Sequence, residues 1–428
     1  MELYHRVGAP PAAADRWLRW STMNLDSNRA SIQEVVDAGL LSGAVTMVWQ
    51  DDRVLQVNEI GHRDVAARLP MQRDTIFRIA SMSKPVTVAA AMALVEEGRF
   101  RLDDPVTPWL PELADVRVLA TPDGPLERTV PARRPITFDD LMTHRSGLAY
   151  AFSVGAPLNR AYGRLMFRQD QDHWLAELAQ LPLAHQPGER MTYSHSTDVL
   201  GIALSRIEGK PLTQVLDERI FAPLGMRDTG FAVTREGRTR AATMYKVEDD
   251  GAGTPTLRDD VMGPAPVTPP TFCTGGAGLW STADDYLTFA RMLLAGGTVD
   301  GVRVLSPESV TAMRTNRLTD EQKKVPFLGM PFWRGRGFGL NLSVVTDAAQ
   351  SRQLYGPGGL GTFSWPGAYG TWWQADPSAN RIMLYLIQNL PDLTSDSAGA
   401  AVAGNTSLLK LQAAQPRFVR RTYQLLDA

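Results

Sequence analysis

Ser81 and Lys84 are the pair whose types and spacing suit nucleophilic chemistry. A serine hydroxyl is a poor nucleophile at neutral pH and needs an adjacent base to take its proton. At i and i+3 the two side chains share one face of a helical turn. The stretch that follows, 86–95, is apolar almost all round, which predicts a fully buried helix. Burial disfavours a lysine's ammonium form and makes a neutral amine available as a base. A helix N-terminus also favours negative charge developing at the serine oxygen. Taken alone, Ser81-Met82-Ser83-Lys84 has a simpler description, an N-cap serine followed by a solvated lysine.

The elements that position this pair follow from periodicity. A helix is predicted over 81–97, with Pro85 tolerated in its first turn and Gly98 stopping it. Upstream, 25–40 has helical spacing, and 44–50 with 54–60 forms a hairpin about Asp51-Asp52. The middle of the chain predicts helices over 136–144, 162–181, 196–208, 212–220 and 283–294, the last entered through Ser281 and Thr282 as caps. Residues 230–275 read as a long loop region, and 121–135 as a surface excursion. Strands return at 338–344, where apolar residues alternate, and at 361–366, 369–374 and 382–387. A final helix is placed over 400–411 or 418–426. The fold class is therefore α/β in the α+β sense. One antiparallel sheet is flanked by helices and built from both chain ends, with a mainly helical domain inserted. The boundaries are 1–85 with 285–428 for the sheet domain and 86–284 for the helical one, with the site at their interface.

The residues around the pair, Phe77-Arg78-Ile79-Ala80, then Gly98 and Leu102-Asp103-Asp104-Pro105-Val106, resemble the serine β-lactamase-like superfamily, in its class C β-lactamase and family VIII carboxylesterase branch. Two further motifs are then expected. Pro187-Gly188-Glu189-Arg190-Met191-Thr192-Tyr193-Ser194 matches the tyrosine motif. Ser364-Trp365-Pro366-Gly367-Ala368-Tyr369-Gly370 occupies the place of the third, on a sheet edge. Leu141-Met142-Thr143-His144-Arg145-Ser146-Gly147-Leu148 and the run Gly275 to Tyr286 resemble structural signatures of the same group. The resemblance spans about residues 30–390. It implies a β-lactamase-like fold and a catalytic Ser81, Lys84 and Tyr193.

The departures bear on substrate. Class C β-lactamases have Tyr-x-Asn where this chain has Tyr193-Ser194-His195, and Lys-Thr-Gly where it has Trp365-Pro366-Gly367. An indole offers an apolar face and one N–H donor, and does not pair with a carboxylate as a cation does. Both changes favour neutral esters with apolar groups over β-lactams, and Trp-x-Gly is similar to the family VIII esterases. The resemblance implies a Ser81 acyl-enzyme, with Lys84 and Tyr193 sharing the base role as a coupled pair. It places the oxyanion between the backbone N–H groups of Ser81 and Ala368. Trp365, Gly367, His195 and Tyr150 are expected at the substrate pocket, with Gly367 letting its strand approach the substrate. His195 is either a proton shuttle or a structural filler of the missing asparagine's space, with the structural role favoured.

Other candidates have plainer readings. Cys273 has no His partner at a recognisable spacing and is expected to be a buried, inert thiol. His144 is expected to cap or hydrogen-bond at a helix end. The glycine-rich 356–361 lacks the lysine of a phosphate loop and reads as a tight connection. The histidines show no metal-binding spacing, so neither metal nor cofactor is expected.

Composition sets the outer limits. A chain of 428 residues contains two to three units of roughly 150. The 44 Lys and Arg nearly balance 46 Asp and Glu, for a net −2, and no basic face for nucleic acid stands out. The single cysteine precludes an intramolecular disulfide. Residues 1–20 lack the apolar core of a signal peptide, and no run reaches the roughly 18 apolar residues of a membrane span. These features predict a soluble, cytoplasmic enzyme that meets a small-molecule ester, without nucleic acid or membrane partners. They set no oligomeric state. The leading expectation is a carboxylesterase for short- to medium-chain esters. The alternatives are an acyltransferase using the same acyl-enzyme, an amidase, D-amino-acid peptidase or weak β-lactamase, and a non-enzymatic scaffold.

Overall fold

Both chain ends feed one antiparallel sheet, as seen in a computed structural model that describes residues 26–165, 167, 170–248, 256–259, 261–390 and 406–427. Its strands are β1 (Gly43–Gln50), β2 (Arg53–Asp64), β3 (Leu69–Pro70), β4 (Arg336–Phe338), β5 (Ser343–Val345), β6 (Phe363–Ser364), β7 (Trp372–Asp376) and β8 (Arg381–Leu386). They lie in the order β4-β5-β6-β7-β8-β1-β2-β3. The β1–β2 turn has positive φ at both Asp51 (47°) and Asp52 (62°), the geometry that matches the twist of a two-residue hairpin.

The central strands are buried on both faces, and their residues alternate between two layers. Ala44 and Val48 of β1 and Met383 and Tyr385 of β8 pack on helices α1 (Asp26–Asp37) and α7 (Thr406–Leu426). Val45, Met47 and Trp49, with Ile382 and Leu384, face the main core instead. That core contains α2 (Ser83–Glu96), α3 (Phe138–Met142), α4 (Gln171–Ala179), α5 (Ser196–Glu208) and α6 (Ala283–Leu294). α6 packs directly on β1, β7 and β8. Thr282 caps α6 by accepting from the Asp285 N–H.

Four expectations change. The apolar alternation of 338–344 is a hairpin, not one strand: Asn341 takes φ 55° and Gly339 N donates to Leu342 O at 2.8 Å. Phe338, Leu340, Leu342 and Val344 are all buried, so alternation reported burial on both sides of a turn. The helix expected over 162–181 is broken into Leu158–Tyr162 and α4, because Asp170 caps α4 by accepting from the N–H groups of Asp172 and His173. The two final-helix placements merge into α7, which runs through Pro416; the part of the expected 400–411 helix before 406 lies outside the described residues. β6, which leads into the third motif, is internal to the sheet rather than on its edge, because the β4–β5 hairpin adds beyond it.

The long loop carries a short hairpin, Lys246–Glu248 with Thr256–Arg258, and Arg117–Leu119 pairs with Thr129–Pro131 at the base of the surface excursion. The expectation about residues 1–20 lies outside the described residues. Among the described residues, no helix is long and apolar enough to cross a membrane.

Candidate active site

The strand pair Phe77–Arg78 with Trp280–Ser281 delivers the chain to Ser81, and Ile79 N continues it by donating to Leu279 O at 3.0 Å. Ala80 then takes φ 45°, a left-handed conformation that L-residues adopt only under constraint. One turn of 3-10 helix, Ala80–Met82, carries Ser81 into α2. No side chain caps either helix start, and Lys84 is completely buried, so the simpler N-cap and solvated-lysine description does not apply.

The start of α2 is clamped to the 274–286 segment. Ser83 Oγ accepts from Leu279 N at 3.2 Å, Thr87 Oγ1 donates to Gly275 O at 2.7 Å, and Tyr286 OH donates to Met82 O at 3.0 Å. These bonds hold Lys84 Nζ 3.2 Å from Ser81 Oγ, 3.2 Å from Tyr150 OH and 2.7 Å from Gly276 O. Ser81 keeps a small exposed area, at 9%, while the amine behind it has none.

Tyr193 lies in the loop entering α5. Its ring centroid is 4.8 Å from Lys84 Nζ, and its hydroxyl accepts from Trp365 Nε1 at 3.1 Å. Among the described residues, the phenol oxygen that Lys84 reaches is that of Tyr150, not that of Tyr193. The two tyrosines are tied through the backbone, Tyr150 N donating to Tyr193 O at 3.1 Å. Trp365 is almost fully buried among Met191, Tyr193, Leu318, Phe332, Trp333 and Phe338.

Gly367 and Ala368 lie in the turn between β6 and β7. A Cβ at Gly367 would meet Thr371 Oγ1 at 2.0 Å and the Ile79 carbonyl at 2.4 Å, so glycine is required for the turn to close on the serine segment. Thr371 Oγ1 donates to that carbonyl at 3.2 Å, and Ala368 is exposed. His195 Nδ1 lies 3.0 Å from Asp198 Oδ2, and its ring packs edge-on against Tyr150 and Trp174. Asp198 is the residue that the motif reading passed over. Its signal was only a carboxylate three positions after His195.

A cavity of about 230 Å³ opens beside Tyr193, walled by residues that include Val154, Leu158, Met191, Phe327, Leu328 and Trp333. Tyr193 lines it; Trp365, Gly367, His195 and Tyr150 do not.

Burial, then the Asp198 carboxylate and the neighbouring Tyr193, hold the Tyr150 hydroxyl well above the usual phenol range. Burial pushes the Cys273 thiol up to about 11, which keeps it from acting as a thiolate at neutral pH. His144 is buried, with Nδ1 3.1 Å from Ser194 Oγ, and burial above all keeps it well below the ordinary imidazole range.

His185 supports the Tyr193 loop, with Nε2 2.9 Å from Thr192 Oγ1, and burial lowers it to about 4. Between 6.5 and about 4 the unfolded chain takes up a proton that the folded chain refuses. The stabilisation is therefore complete above 6.5 and is lost as pH falls through about 4. His185→Gln is expected to lose less melting temperature than the wild type between pH 7 and pH 4. Parallel declines in a thermal-melt series would contradict this.

A family model described as Beta-lactamase matches residues 28–406. Protein Rv1367c of Mycobacterium tuberculosis (strain ATCC 25618 / H37Rv) is 69% identical over 404 residues, covering 94% of this chain and 100% of that one. Esterase EstB of Burkholderia gladioli is 32% identical over 393 residues, covering 85% of this chain and 91% of its own. The solved structure of EstCE1, described as a hydrolase with promiscuous acyltransferase activity, superposes with a TM-score of 0.72 at 29% identity, covering 94% of this chain and 99% of that one.

Proposed function

The chain belongs to the beta-lactamase family, in its family VIII esterase-like branch, and from that premise we propose a serine carboxylesterase acting on short- to medium-chain esters through an acyl-enzyme on Ser81. The observation that carries the reading is the buried Lys84 amine 3.2 Å from Ser81 Oγ, beside the indole N–H of Trp365 bonded to the Tyr193 hydroxyl. The amine supplies the base that a serine nucleophile requires. The indole stands where β-lactam recognition would place a cation, and the nearby cavity has apolar wall at Val154, Leu158, Phe327 and Leu328 beside the polar Asp123, Arg190 and Thr192. Together they suit a neutral ester with apolar groups.

In the proposed reaction, Ser81 Oγ bonds to the ester carbonyl carbon while its proton passes to the Lys84/Tyr193 pair. The negative oxygen of the tetrahedral intermediate sits between the backbone N–H groups of Ser81 and Ala368. The same proton goes to the departing alkoxide as the C–O bond breaks. Water then attacks the acyl-enzyme by the reverse order of steps. An alcohol entering in place of water would make the enzyme an acyltransferase, a second reading favoured by the likeness to EstCE1, a hydrolase with promiscuous acyltransferase activity. Tyr150, Trp365, His195 and Gly367 act as the support of this site rather than as its nucleophile or base.

The test is turnover of nitrophenyl esters from acetyl to octanoyl, with and without an added alcohol. Ester turnover well above that of a matched anilide or cephalosporin is expected, with free acid as product and transferred ester rising with alcohol. Amide or cephalosporin turnover equal to ester turnover would overturn the esterase reading.

A further inference from the structure

We propose that Asp198 is a positioning residue that aims the lone pair of Lys84 at the Ser81 hydroxyl, an inference that rests on the Ser81 acyl-enzyme reading. Asp198 is buried in the first turn of α5, and its carboxylate grips two groups that also grip Lys84. Oδ1 accepts from Gly276 N at 2.9 Å, and Oδ2 accepts from Tyr150 OH at 3.4 Å and from His195 Nδ1 at 3.0 Å. Lys84 Nζ donates to the carbonyl of the same Gly276 at 2.7 Å and meets the same Tyr150 oxygen at 3.2 Å. Gly276 has to be glycine for this to assemble, because a Cβ there would meet Asp198 Oδ1 at 2.7 Å and Tyr150 OH at 3.1 Å.

Donor and acceptor counting gives the direction of each bond. A carboxylate only accepts, so the single Tyr150 proton points to Asp198. Burial and the Asp198 charge keep that proton on the phenol. Toward Lys84 the Tyr150 oxygen therefore presents lone pairs, and Lys84 is the donor. The Gly276 carbonyl is likewise only an acceptor. In the neutral form that taking the serine proton requires, the amine has two N–H groups, and these two neighbours consume both. Its lone pair is left facing the third neighbour, Ser81 Oγ, at 3.2 Å. The other titratable groups facing this cluster are Tyr193, whose hydroxyl accepts from Trp365 Nε1, and the rings of His195 and His144.

The proton transfer then has one acceptor. As Ser81 Oγ bonds to the acyl carbon, the carbonyl π pair moves to oxygen and the hydroxyl proton passes to Lys84, which becomes an ammonium. That proton leaves with the alkoxide when the C–O bond breaks, and the amine is restored.

Asp198→Asn tests the direction of the network. An asparagine has one acceptor oxygen. With that oxygen on Gly276 N, its NH2 group donates to Tyr150, whose own proton turns toward Lys84 and occupies the lone pair. The expected result is a kcat for nitrophenyl ester lowered about 100-fold or more, with KM within about three-fold. Tyr150→Phe alone lowers kcat about ten-fold by removing one anchor, yet added to D198N it raises kcat at least about five-fold by removing the misdirected donor. A D198N kcat within about three-fold of wild type, or a double variant as slow as the product of the single losses, would overturn the inference. Should D198N fail to fold, Tyr150→Phe decides alone, and an unchanged kcat overturns the inference. Wild-type turnover that Ser81→Ala abolishes leaves the esterase reading standing whatever Asp198 does. Turnover that survives Ser81→Ala removes that reading itself.

Discussion

Ser81→Ala is expected to lower ester turnover by at least about 10⁴-fold, because it removes the atom that bonds to the acyl group. The residual rate comes from binding and from the oxyanion site, neither of which needs the hydroxyl. The substitution leaves the scaffold in place. Lys84 keeps its bonds to Gly276 O and Tyr150 OH, and the serine segment keeps its bonds to the 274–286 segment and to Thr371. Melting temperature should therefore change little, since one hydrogen bond contributes only about 1 kcal/mol. A kcat/KM within ten-fold of wild type, measured on protein free of host esterases, would contradict the assignment of the nucleophile.

Lys84→Met is expected to lower kcat by about 10²–10⁴-fold, the usual contribution of a positioned general base, while KM changes little. Methionine fills a similar volume without the amine, so the loss is chemical rather than a cavity effect. The variant should melt close to the wild type. It leaves the Gly276 carbonyl and Tyr150 hydroxyl short of one partner, but it also removes an amine from a site with no exposure. Lys84→Arg should not rescue, because a planar, always-charged guanidinium has no lone pair to offer Ser81. Recovery of activity in the arginine variant would show that a positive charge, not a proton acceptor, is what the site requires.

How much of this was legible in the residues depended on sequence distance. Ser81 and Lys84 stand three apart at the mouth of an apolar helix, and the burial of Lys84 follows from the residues of that helix. Tyr193 was legible through a motif. The contacts of Lys84 with Tyr150 and Gly276 were not, because they span 66 and 192 residues and exist only once the loops close. Asp198 was missed for the same reason: its two working partners are on other elements. Elements were legible where one pattern dominated, as in α5 and α6, whose bounds match the predicted 196–208 and 283–294. They failed where a local breaker outweighed the pattern. Asp170 as a cap split one predicted helix, and Asn341 at positive φ folded one predicted strand into a hairpin. Both residue types favour such positions, so these signals were present but were outvoted by apolar spacing.

The central claim is the covalent bond to Ser81, and intact-mass measurement of a rapidly stopped reaction with a slowly deacylating nitrophenyl ester tests it most directly. The wild type should carry one acyl group, mapped to the peptide holding Ser81, and Ser81→Ala should carry none. An acyl group on Ser81→Ala at the same level, or one mapped to another residue in the wild type, would contradict the account.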